Sequence, residues 1–190
     1  MPVCKKHRVL VHLLTWATIL ISTITSAEFR VSELQSEIKH GILTISGAMD
    51  LTLSAKVEEA VAKGIPLDVE FEFRLKRQRK LLWAEQLKLW TLTRQIRYHA
   101  LSRQYFVNDP ATSGKKLENF TSLQQALRHM GTLNELTFDG ISGLQEHGDY
   151  VLEARVSLDI ESLPAPLRPV AYTSLDWHLN SGWTTWTVKH

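Results

Sequence analysis

The chain has 190 residues, with 22 basic and 20 acidic side chains, a net charge of +2 and one cysteine. Lys5, Lys6, Arg8 and the cysteine, Cys4, fall in the first 27 positions, so residues 28–190 keep 19 basic and 20 acidic side chains and a net charge of −1. That balance lacks the basic footprint of a nucleic-acid binder, and it leaves no disulfide, thiolate nucleophile or Cys-ligated metal beyond residue 27.

The first 27 residues follow the plan of an export signal: a basic start, an apolar run from Val9 to Ile24 broken by His12, and Thr25-Ser26-Ala27 as a small-residue cleavage site. The run is just shorter than the roughly 17–25 residues that span a bilayer, so the alternative is an uncleaved anchor. In both cases the positive residues stay inside and the remainder faces outward. The expected location is periplasmic, either soluble or held at the inner membrane by residues 9–24. Residues 28–190 are enough for one domain and few for two.

Beyond residue 27 the dominant period is two, the period of β-strands. Phe29 and Val31 open a first strand, and Ile42 to Leu53 follows the turn at Gly41. Ser54 caps a helix through Ala55, Val57, Ala60 and Val61 that stops at Gly64. From Leu67 to Lys76 the apolar residues Leu67, Val69, Phe71, Phe73 and Leu75 alternate with charged ones, giving one core face and one wet face.

Leu87 to Ala100 is a second long strand with Trp90, Leu92, Ile96 and Tyr98 on one face, and Tyr105 to Asn108 returns antiparallel to it. A turn cluster runs from Asn108 to Gly114, and Thr121 with Gln124 forms a capping box opening a second helix that ends at Gly131. Tyr150 to Ile160 is a third long strand whose polar face carries both signs and reads as solvated. Pro164 to Pro169 reads as a rigid crossover, and a C-terminal strand holds Trp177, Trp183 and Trp186. Unbroken alternation sets Trp186 opposite the other two, whereas a bulge at Gly182 pairs it with Trp177; either way one indole leaves the core face. The fold class is α+β, predominantly antiparallel, a sandwich-like or curved sheet with two short helices.

Few residues suggest chemistry. Six histidines follow residue 27, without metal-ligand spacing; His147-Gly148-Asp149 reads as a turn, and no Gly-x-Ser-x-Gly elbow or phosphate loop is present. No catalytic residue, metal or cofactor is therefore assigned. Arg97 and His99 share the polar face of a strand, where cross-strand charge pairing is the ordinary use. The least ordinary stretch is Arg74, Lys76, Arg77, Arg79 and Lys80 running into Leu81-Leu82-Trp83 between two long strands. One reading folds Leu-Leu-Trp back on the sheet. The other makes Arg77, Arg79, Lys80, Leu81, Leu82 and Trp83 an interfacial tip that binds anionic head groups or a membrane partner.

Arg97 to Tyr105, the stretch Leu158-Asp159-Ile160-Glu161-Ser162-Leu163-Pro164-Ala165-Pro166-Leu167-Arg168-Pro169-Val170-Ala171-Tyr172, Asp176-Trp177 and Trp183 resemble the bacterial exported proteins grouped as domain of unknown function 4390. The resemblance implies an N-terminal signal or anchor and gene neighbours that encode a membrane sensor histidine kinase and its response regulator. It carries no established activity, catalytic residue or cofactor. The expected function is thus a non-enzymatic interaction module of the envelope, accessory to a membrane sensor kinase or docked on a membrane surface. The alternatives are a hydrolase using His99 or His178 and a small-molecule or glycan binder using the C-terminal tryptophans. Composition does not specify an oligomeric state.

Overall fold

The computed structural model describes residues 28–109, 117–141 and 148–189. The segment 1–27, the turn residues Pro110 to Gly114, and His147 lie outside them.

β1 (Phe29–Lys39) and β2 (Ile42–Leu51) form a hairpin closed by His40 and Gly41, with φ of 52° and 75°. Positive φ at both loop residues lets the turn follow the right-handed strand twist. α1 (Ala55–Ala62) starts where Ser54 Oγ accepts from Val57 N–H at 3.2 Å. It ends in a Schellman turn: Gly64, at φ 86°, donates to Val61 O and Ile65 donates to Ala60 O. β3 (Leu67–Arg77) pairs with β4 (Glu85–His99) from Leu67↔Ile96 to Arg77↔Glu85, and β4 returns through β5 (Gln104–Asn108) to β6 (Leu117–Phe120). α2 (Leu123–Gly131) leads directly into β7 (Thr132–Phe138). β8 (Tyr150–Leu158) pairs with the other edge of β3, α3 (Arg168–Thr173) follows, and β9 (Thr184–Thr187) closes on β8.

These strands make two antiparallel sheets, β1-β2-β7 and β6-β5-β4-β3-β8-β9. The inward residues of β3, all fully buried, meet Phe29, Leu43 and Ile45 of the smaller sheet in one continuous core. Phe138 of β7 packs against Phe73 of β3 at 5.5 Å and Trp90 of β4 at 5.1 Å, tying sheet to sheet. The sandwich-like α+β class expected from the pattern is what the chain adopts.

Four local expectations are corrected. α2 begins at Leu123 with Ser122 as its N-cap and no side-chain cap bond, so the Thr121–Gln124 box does not form. The strand holds on too long for it, because Phe120 stays in register with Tyr105. A third helix, α3, occupies the second half of the proline stretch, where Pro169 suits its first turn by supplying a fixed φ and needing no donor. Trp177 lies in the 3₁₀ turn Leu175–Trp177, because Gly182 at φ 67° and the Gly182 N–H bond to Asn180 Oδ1 restart the chain before β9. The polar face of β8 is half-buried, with Glu153 and Arg155 ion-paired to β3.

Candidate functional site

The long β3–β4 hairpin ends in a tip made of residues 78–84. Arg77 is the last residue of β3, and Gln78 N–H donates to Asp149 O at 2.8 Å, after which the chain leaves the sheet. Beyond that point Leu81 is 96 % exposed, Leu82 68 % and Trp83 78 %. Leu-Leu-Trp therefore does not fold back on the sheet. Arg77, Arg79 and Lys80 are exposed beside it, and Arg79 reaches Glu85 across the hairpin. Contact with that guanidinium holds the Glu85 carboxyl below its usual range.

The basic run divides into two parts with different uses. Arg74 and Lys76 belong to the outer face of β3, where both meet Glu153 of β8, at 3.4 and 2.6 Å, and Arg155 of β8 meets Glu72. Trp183 covers this ladder, its ring 3.9 Å from the Arg74 guanidinium and 4.7 Å from that of Arg155. Of the three C-terminal indoles it is the one off the core face, since Trp177 is buried and Trp186 packs on the core. The glycan-platform alternative thus meets an indole already stacked on two cations.

Sequence reasoning missed Arg94. It stands on the inward face of β4 between Leu92 and Ile96, with its side chain 5 % exposed. One guanidinium nitrogen donates to Thr132 O at 2.8 Å and to Met130 O at 2.5 Å, the other meets Asp109 at 2.7 Å, and the group lies 5.3 Å over Phe71. The missed signal was a charge at a position the alternation reserves for a large apolar side chain. Close by, His129 meets Glu118 at 3.2 Å under the ring of Phe120. Arg94, Asp109, Glu118 and His129 line a cleft of about 480 Å³ against β7. The two terminal nitrogens of Arg94 hold two carbonyls and a carboxylate, while its buried Nε has no partner among the described residues, so the guanidinium clamps α2 and β7 to the large sheet.

The two histidines of the hydrolase alternative sit on different elements, His99 at the end of β4 and His178 just after the 3₁₀ turn Leu175–Trp177. His99 is exposed at the end of β4, where Ser102 donates its backbone N–H to Nδ1 at 3.4 Å and sets its hydroxyl 3.2 Å away. His178 Nδ1 lies 3.0 Å from Ser174 O. Among the described residues neither imidazole is hydrogen-bonded to a carboxylate that would orient it as a general base. Also among the described residues, no group of three or more His, Cys, Asp or Glu is placed to hold a metal, and no helix is long and apolar enough to cross a membrane.

A family model, the domain of unknown function (DUF4390), matches residues 26–187. The chain belongs to this family. The match takes in every strand of both sheets, the tip and the Arg94 clamp, so all of them are parts of a DUF4390 domain. Neither a curated protein nor a solved structure matches the chain.

Proposed function

We propose that this DUF4390 domain is an exported, non-enzymatic interaction module that rests on an anionic membrane surface through the tip at Arg77 to Trp83. The observation that carries the reading is the exposure of Leu81, Leu82 and Trp83 together on the side of a hairpin bearing Arg77, Arg79 and Lys80. Three large apolar side chains held in water are unfavourable by the hydrophobic effect unless something covers them. A head-group layer suits both halves: tryptophan settles at the interface, and each cation near an anionic leaflet contributes on the order of 1 kcal/mol.

Export rests on the basic, apolar and small-residue plan of residues 1–27. The family resemblance adds a membrane sensor histidine kinase as the protein neighbour to which the domain would be accessory. Sedimentation with vesicles containing phosphatidylglycerol tests the membrane contact. Binding that weakens steeply as salt rises supports it, and equal binding to neutral and anionic vesicles contradicts it.

A further inference from the structure

The tip is one part of a larger surface at one end of the sandwich. A backbone ladder crosses that end: Gln78 donates to Asp149 O, Val188 to Tyr150 O, and Ile38 to Lys189 O. It joins the tip to the β1–β2 turn, where Lys39 pairs in register with Ile42. Lys39, His40 and Lys189 are exposed there, and Ile42 is exposed as well. Of the acidic residues at the same end, Glu37 and Glu85 are held by Lys39 and Arg79, while Asp139, next to the Leu43–Phe138 pair, and Asp149, beside Gln78, are exposed.

The chain enters the domain at the opposite end. Phe29 pairs with Leu51, and Ser54, three residues on, donates to Asp176 O beside the foot of β8, where Leu158 donates to Leu179 O. Eleven residues of β3 separate the two ends, a span of about 35 Å at strand rise. Lying flat instead would press the outer face of the large sheet toward lipid phosphates, where Arg74, Lys76 and Arg155 are already paired with Glu153 and Glu72 and where Asp68, Glu70 and Asp159 add acid that makes no ion pair among the described residues. The desolvation and mutual repulsion that already raise the Glu70 carboxyl would grow.

We propose that the whole pole formed by the tip, the Lys39–Ile42 turn and Lys189 is the membrane contact, with the strands steep to the anionic bilayer and the amino-terminal entry at Phe29 pointing away from it. This rests on the membrane reading of the tip. That orientation holds Phe29 about a strand length from the bilayer, so the form that docks is the one released from the export segment.

The test uses the protein recovered from the soluble envelope fraction, in a Cys4→Ser background with single labelled cysteines in place of Leu82, Ile42 or Leu175. On phosphatidylglycerol vesicles carrying a lipid-borne quencher, the labels at 82 and 42 are quenched and the label at 175 is not. Lys39→Gln and Lys189→Gln each weaken binding about fivefold, and Lys56→Gln, at the far end, leaves it unchanged. Quenching at 82 alone overturns the pole and keeps the tip. Quenching at 175 without 82, or no binding at all, overturns both. A protein recoverable only with residues 1–27 attached and embedded also overturns the proposal, since it puts the Phe29 end at the bilayer. Dimerisation or partner binding through Leu82 without vesicle binding assigns the pole to protein contact instead.

Discussion

The guanidinium of Arg94 and the carboxylate of Asp109 meet at 2.7 Å between the two sheets, with 5 % and 14 % of their side chains exposed. Removing one partner of such a buried pair leaves the other charge uncompensated, and here two carbonyls lose their donor as well. Arg94→Ala is expected to lower unfolding free energy by about 3–5 kcal/mol, measured by denaturant titration. Arg94→Lys is expected to recover only part of it, because one ammonium lacks the fork that reaches three acceptors. A loss below about 1 kcal/mol for Arg94→Ala contradicts the clamp.

The strand pattern was legible because burial on one face forces a period of two, and β3 and β8 obey it along their whole length. Arg94 was legible only as a charge at an apolar position; its partners were not, since they come from Met130, Thr132 and Asp109, brought to it only by tertiary folding. The tip was legible as an oddity of composition, but its exposure was not, because Leu-Leu-Trp suits a core as readily as an interface. The third helix was hidden behind prolines that read as a crossover.

Gly131 and Gly47 are packing requirements. A Cβ on Gly131 would stand 1.9 Å from Met49 O, and one on Gly47 would stand 2.1 Å from Glu33 O. Backbone cannot yield as a side chain tip does, so each alanine substitution is expected to cost about 1–3 kcal/mol or more. Gly182→Ala meets no atom within 4 Å. It is therefore expected to show only the smaller penalty of its positive φ. Melting temperatures of the three variants, ranked in that order, check the assignment.

Glu70 lies on the outer face of β3, where burial first, and then Asp159, Glu72 and Asp68, raise its pKa above the ordinary glutamate range, with Arg155 opposing them. A carboxyl whose folded pKa is raised binds its proton more tightly in the native state. No penalty exists below the unfolded pKa, and stability falls as pH rises through the raised value. Glu70→Gln is accordingly expected to raise the melting temperature at pH 7 and to leave it unchanged at pH 4. An equal gain at both pH values would point to packing.

Trp183→Ala exposes the Glu153 ladder to water. The two cation contacts are worth roughly 1–2 kcal/mol together at a half-buried site. The expected result is a loss of that size, together with a new dependence of stability on salt as the pairs become screened. An unchanged melting curve contradicts a covering role for the indole.

The most direct measurement for the membrane reading takes Trp83→Ala through vesicle binding and unfolding side by side. Trp83 touches water in the free domain, so its removal is expected to change stability by less than about 0.5 kcal/mol. On phosphatidylglycerol vesicles the lost burial is on the order of 2 kcal/mol, which is roughly a thirtyfold loss of affinity. Wild-type affinity in the variant, or a loss of stability that accounts for the loss of binding, contradicts the account.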